Sequence, residues 1–186
     1  MRKKLLSILA FGALFVAVQA QKIEEPEFVG ESILVKADNT ATPLEKQLSQ
    51  SRTVASTGLI LSGIGKVRQQ IQIEGCCANV KFGKNEDVKF IIRNVDNNSD
   101  PLSIIRVFKF ELKKKFRRAE MASVNNFGAT KTNNLDYITF TGKKYGTSSY
   151  IIKLSAMEPG EYGIIVSNPN ALDEKQTVVS TFAVTE

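Results

Sequence analysis

Apolar and polar residues alternate with period two along most of the chain, the spacing of strands with one buried face. Strands are predicted over Glu27 to Lys36, Ser51 to Thr57, Lys66 to Glu74, Cys76 to Phe82, Val88 to Val95 and Ser103 to Lys113. Further strands are predicted over Phe116 to Val124, Leu135 to Thr141, Ser149 to Leu154, Tyr162 to Ser167 and Val178 to Thr185. The faces are explicit in several. Val67, Ile71 and Ile73 share one side, as do Val88, Phe90 and Ile92, then Ile104, Phe108, Phe110 and Leu112, and finally Val178, Ser180, Phe182 and Val184. Two segments break the rhythm. Thr42-Pro43-Leu44-Glu45 matches a capping box with Pro at the first helical position, and Leu44 and Leu48 lie one helical turn apart. One or two helical turns are expected there, with an extended loop fitting nearly as well. Gly58 to Gly65 (GLILSGIG) is apolar and glycine-rich, and reads as a buried strand and turn or as an exposed apolar edge that docks a partner. Asp96 to Pro101 is a strong turn signal, and Asn125 to Asn134 a polar loop.

Many short strands separated by turns mean an all-β protein, a sandwich or barrel in preference to a parallel α/β sheet. A soft boundary falls near residue 65. Residues 66–186 are the size of one β-sandwich domain, and residues 21–65 are an N-terminal β extension, either an appended hairpin or extra strands of the same sheets. The segment Met157-Glu158-Pro159-Gly160-Glu161-Tyr162-Gly163-Ile164-Ile165-Val166, followed by Thr181-Phe182-Ala183-Val184, resembles the ending of immunoglobulin-like and fibronectin-like domains. It is also similar to the ending of uncharacterised exported bacterial proteins. The resemblance implies an immunoglobulin-like β-sandwich, with Tyr162 anchoring a corner through its hydroxyl, and implies no activity. Two features depart from antibody domains: there is no tryptophan, and the two cysteines are adjacent, so they cannot bridge two sheets.

The first 20 residues read as a signal peptide. Arg2, Lys3 and Lys4 form a positive start, Leu5 to Val18 is an apolar run, and Val18-Gln19-Ala20 places small residues at −3 and −1 of a cut before Gln21. The run is shorter than the roughly 20 residues a spanning helix needs. No cysteine sits at the cut, and no later segment could cross a membrane as a helix. The leader's form looks bacterial, so the mature chain is expected in the periplasm, at the cell surface or outside the cell. Removing the leader lowers Lys+Arg from 25 to 22 against 19 Asp+Glu, so the net charge falls from +6 to +3. That mild basicity, together with export, argues against nucleic acid as a partner.

The chain contains no histidine. Triads built on His and His-based zinc sites are thereby excluded within it. Several constellations remain. Cys76-Cys77 is a candidate redox site: two thiols, a bond to another chain, a vicinal disulfide or a soft-metal site. On a strand the two side chains would point to opposite faces. Asp96, Asn98 and Asp100 copy the oxygen spacing that opens an EF-hand loop, but Pro101 and Val107 stand where Gly and Glu belong, which leaves only a looser calcium site. Asn97-Asn98-Ser99 is a glycosylation sequon. Arg106, Lys109, Lys113, Lys114, Lys115, Arg117 and Arg118, set against Glu111 and Glu120, give residues 106–120 a net charge of +5. They form a patch for an anionic partner or a solvated strand end whose lysines protect an edge. Glu24, Glu25, Glu27 and Glu31 form an acidic stretch that could pair with that patch. Gly65-Lys66-Val67 fails the phosphate-loop pattern. Glu158 with Glu161, or Glu86 with Asp87, are the carboxylate pairs available to a glycosidase.

The expectation is an exported, non-enzymatic binding or accessory module of the cell envelope, without a cofactor, whose partner is an envelope protein or an acidic glycan. The alternatives are a self-assembling structural or adhesin-type subunit that exchanges its N-terminal strand, and a carbohydrate-active enzyme. N-terminal sequencing of the exported protein should begin at Gln21; a chain that retains Met1 would refute the leader.

Overall fold

The computed structural model describes residues 22–125, 130–131, 135–167 and 177–186, so the predicted leader and most of the loop predicted over Asn125–Asn134 lie outside the described residues. In chain order the elements are β1 (Ser32–Val35), β2 (Ala41–Pro43), β3 (Glu45–Leu48), β4 (Gln50–Ala55), α1 (Thr57–Ser62), β5 (Lys66–Glu74), β6 (Lys81–Gly83), β7 (Lys89–Arg93) and α2 (Pro101–Ile104). They continue with β8 (Ile105–Lys109), β9 (Glu111–Leu112), β10 (Phe116–Asn125), β11 (Thr130–Lys131), β12 (Phe140–Tyr145), β13 (Ser149–Leu154), β14 (Gly160–Val166) and β15 (Val178–Thr185). The protein is all-β.

The strands form three sheets. The first has the order β12-β13-β7-β1-β2, and the central one β3-β15-β14-β8, with β6 parallel to β15. The third has the order β11-β10-β5-β4, with β9 beside β10. All other pairings are antiparallel. Leu34, Phe90, Ile92, Tyr150 and Ile152 of the first sheet pack on Val107, Tyr162, Ile164, Phe182 and Val184 of the central one. The opposite side of the central sheet carries Phe108, Phe110, Ile165 and Val179, which pack on Ile71, Ile73 and Ala119 of the third. The first and central sheets therefore form a β-sandwich, and the third adds a layer that the two-sheet resemblance does not include.

Double burial explains the sequence of β14. Tyr162 and Ile164 point to the first sheet and Ile165 to the third, so the strand reads as a nearly continuous apolar run. Gly163 is required by close packing: a Cβ there would lie 2.8 Å from the Phe110 ring, 2.9 Å from the Phe108 ring and 2.9 Å from Val179. The Tyr162 hydroxyl donates to the Glu158 carbonyl four residues back.

The boundary near residue 65 does not separate two packing units. β1 and β2 belong to the first sheet, β3 to the central one and β4 to the third. β1 is interior to its sheet, paired with both β2 and β7, and Leu34 is buried in the main core. The N-terminal strand is thus integral to this core, whereas strand exchange called for one the core could spare.

Five predicted elements differ. The capping box at Thr42–Glu45 forms no helix. Leu44 is buried, its amide bonds the Ser32 carbonyl at 2.9 Å, and Glu45 turns inward to charged and polar partners, so tertiary contacts override the local signal. Gly58–Gly65 is neither buried strand nor sheet edge: Ser56 caps α1, Gly63 ends it at φ 71°, and the short helix tips the β4–β5 hairpin. The strand expected over Cys76–Phe82 shrinks to β6, because Gly75 leaves β5 at φ 82°. Ser103–Lys113 is divided, since Asp100 caps α2 with Pro101 in its first turn and Phe110 interrupts the ladder, leaving Leu112 exposed. Leu135–Thr141 likewise pairs only at Tyr137 before β12 begins at Phe140.

Arg117 joins the third sheet to the central one. It faces inward beside Ala119 and is wholly buried. Its guanidinium lies 3.0 Å from Glu161 of β14 and 3.4 Å from Glu45 of β3. Glu161 also accepts the Ala78 amide at 2.8 Å, and Glu45 accepts the Thr181 hydroxyl at 2.5 Å. Arg118, one residue on, lies on the outer side against Glu111. Removing one partner of a buried pair strands the opposing charge, so Arg117→Ala should cost about 3–5 kcal/mol in urea denaturation. Arg118→Ala should stay within about 0.5 kcal/mol.

Candidate functional site

The seven basic residues read from the sequence do not form one patch. Arg117 leaves it for the interior. Lys113 and Arg118 both pair with Glu111, whose carboxyl is drawn down to about 2, first by the Arg118 hydrogen bond and then by Lys113. Lys109 lies over the Tyr162 ring, 5.7 Å from its centroid. Lys114 and Lys115 project from the β9–β10 turn, and Arg106 is exposed on β8. None of these last three carries an ion pair among the described residues.

Strand periodicity places Arg106. Ile105 and Val107 enter the core with the first sheet, while Arg106 shares the face of Phe108, toward the third sheet. There it borders a cleft of about 630 Å³ whose other walls include Gln69, Met121, Leu135, Tyr137 and Ile138. The walls are held from both sides: the Ile138 amide bonds the Val107 carbonyl at 2.8 Å, and Met121 lies on β10 at the register shift between Glu120 and Ala122. An apolar cleft with one unpaired guanidinium suits a ligand that has an apolar body and an anionic group. A second cleft, of about 480 Å³, holds Arg68, Lys109 and Arg118 together with Glu111, Glu120 and Asp136. Its charges are mixed, and Arg68 faces Glu120 at 3.4 Å, so it offers an anion much less.

Asp96 accepts the Asn98 amide at 2.9 Å, and Asp100 accepts the Leu102 amide at 2.8 Å as the helix cap. These are turn-forming roles, and no group of three metal-ligating side chains occurs among the described residues. Asn97 is buried and its side-chain amide donates to the Tyr145, Gly146 and Ser149 carbonyls, so the sequon is a structural post and not an open acceptor. Glu158 pairs with Lys84, Glu161 with Arg117, Glu86 with Lys36 and Asp87 with Lys153, which engages each glycosidase candidate separately. Cys76 and Cys77 are joined to each other in a disulfide, both exposed, which corrects the reading as two thiols. The α1 tip exposes Ile60, Leu61 and Ile64, which favours the exposed reading of that segment over the buried one.

The acidic stretch finds partners other than the basic patch. Glu31 pairs with Lys46. Glu25 seats in the β12–β13 turn, taking the Ser149 hydroxyl at 2.6 Å, the Thr147 amide at 2.6 Å, the Ser148 amide at 3.2 Å and Arg93 at 3.2 Å. Gly146, at φ 58°, leaves the room: a Cβ there would lie 1.9 Å from the carboxylate. Sequence periodicity gave no sign of this anchor, because all its donors but Arg93 belong to a turn more than a hundred residues away. Among the described residues no helix is long and apolar enough to cross a membrane. No protein-family model matches the chain, and neither a curated protein nor a solved structure does.

The Ser149 hydroxyl first, then the Thr147 and Ser148 donors, hold the Glu25 carboxyl at about 2 against an ordinary 4.5, despite opposing desolvation. A lowered folded value means that the anchor stabilises the fold fully above the ordinary value and is lost as the pH falls toward 2. Melting temperatures of the mature protein should therefore exceed those of Glu25→Gln at neutral pH, with the gap closing between pH 4.5 and 2. A gap independent of pH would refute the anchor.

Proposed function

We propose that this chain is an exported, non-enzymatic binding module of the cell envelope, and that its cleft at Arg106 takes an acidic, partly apolar segment of an envelope protein. The observation that carries this reading is the unpaired Arg106 at the edge of the apolar Met121–Leu135–Tyr137 cleft. Arg106 is the one member of the basic run that combines exposure, freedom from acid partners and an adjoining apolar wall. Apolar walls favour a peptide over an acidic glycan, which presents mainly hydroxyls and carboxylates to its receptor. The leader read from residues 1–20 supports a location outside the cytoplasm, and the immunoglobulin-like resemblance supports a scaffold role without supplying a partner.

A second reading, self-association, is favoured by the α1 tip and the adjoining β4. Ile60, Leu61 and Ile64 are exposed, and β4 is an exposed outer strand with Arg52 as its only charge. Edge strands of low charge are templates for pairing with another chain.

The test is fluorescence anisotropy of the mature protein with a labelled peptide of alternating Glu and Leu, with polygalacturonate as the glycan arm. The peptide should bind, and Arg106→Glu should weaken it at least about tenfold, the scale of one charge-assisted contact, while the melting temperature stays unchanged. Binding of polygalacturonate alone would move the reading to a glycan receptor. Binding of neither, with concentration-dependent sedimentation abolished by Ile60→Asp, would replace it with self-assembly.

A further inference from the structure

Cys76 and Cys77 occupy the connection between β5 and β6. A bond between adjacent residues closes a small ring through the backbone and fixes the peptide between them. Both residues are exposed, so either sulfur can be reached without opening a core. The connection is tied down on each side of the pair. The Gly75 amide donates to the Lys115 carbonyl at 3.0 Å, and the buried Ala78 donates its amide to Glu161 at 2.8 Å. Glu161 is the carboxylate that holds Arg117. The exposed disulfide is thus one residue away from the polar staple between the central and third sheets.

We propose that Cys76–Cys77 is a thiol–disulfide exchange site for an external dithiol, and that its reduction frees the Gly75–Val80 connection from Glu161. A thiolate of the dithiol attacks one cysteine sulfur, and the Cys76–Cys77 bond breaks. The other cysteine departs as a thiolate and takes up a proton. The dithiol's second thiolate then attacks its own sulfur in the mixed disulfide, closing the reagent's disulfide and releasing the first cysteine, which is protonated in turn. Two electrons and two protons pass to the cysteine pair, and the dithiol is oxidised. Exchange of this kind needs an accessible sulfur and a bond whose loss leaves the fold standing. Exposure supplies the first. The second follows from the layout, because the pair links neighbours in sequence and no two strands depend on it as a crosslink. The proposal is independent of the Arg106 cleft.

Dithiothreitol serves as the dithiol probe for the full mature chain, with thiol counting by maleimide mass shift and amide hydrogen exchange as the two readouts. The protein purified without reductant should carry no free thiol, and brief native treatment should expose both cysteines. Exchange at Ala78 should then rise at least about tenfold, the loss of one hydrogen bond to a charged acceptor, while Phe90 in the first sheet keeps its protection. The double variant Cys76→Ser, Cys77→Ser should show the fast Ala78 exchange without any reductant. Three results would overturn the proposal: thiols that stay free after diamide treatment, reduction that leaves Ala78 unchanged, or reduction that accelerates Phe90 as much as Ala78.

Discussion

A sheet covered on both sides can bury a charge away from its rim only beside an opposite one, and the central sheet does so at one place. Its side toward the first sheet is apolar at its centre, through Val107, Tyr162, Ile164 and Phe182. Its side toward the third sheet is apolar through Phe108, Phe110, Ile165 and Val179, then polar where Glu161 and Glu45 project. Two carboxylates in that position are tolerable because Arg117 arrives from β10, and because the Ala78 amide and the Thr181 hydroxyl occupy further lone pairs. The cluster need not add net stability over an apolar substitute, since burying charges costs about as much as pairing them returns. What it supplies is register: β10 has a single position at which a cation meets both acids. The Arg117 Nε, buried without a partner, is the part of that cost still visible.

Periodicity made most of the fold legible where strands are long and one-sided. β5, β13 and β15 run over the very residues the alternation predicts. Local signals failed where distant contacts decide. The capping box at Thr42 is a sound helix start in isolation, yet Leu44 and Glu45 are both claimed by the packed interior. The third layer was invisible for a similar reason: a strand buried on two sides and a strand buried on one differ in what covers them, and the covering sheet lies elsewhere in the chain. Arg117 illustrates the loss for the site. In the sequence it is one more member of a basic run, and only the parity it shares with Ala119 separates it from Arg118.

Charge runs in a sequence are counts, whereas a binding surface is what remains after the fold has used its share. Here the fold uses most of it. Glu111 absorbs Lys113 and Arg118, the interior absorbs Arg117, and the Tyr162 ring shields Lys109. Glu25 and Glu31 of the acidic N-terminal stretch are likewise consumed, by the β12–β13 turn and by Lys46. Arg106 stands out because its neighbours on the same face are apolar.

The exposed chemistry that survives this accounting gathers on the third sheet and its borders. β5 carries the apolar α1 tip at its start and the Cys76–Cys77 ring just past its end, and Gln69 from its middle walls the Arg106 cleft. The outer strand of the first sheet carries Lys143 and Lys144 instead, a composition that discourages strand pairing. The first and central sheets hold the core whose packing a partner would not disturb. The third is bound to them by fewer apolar residues and one buried guanidinium. It is therefore the layer on which the proposed recognition and redox exchange would act without unfolding the sandwich beneath.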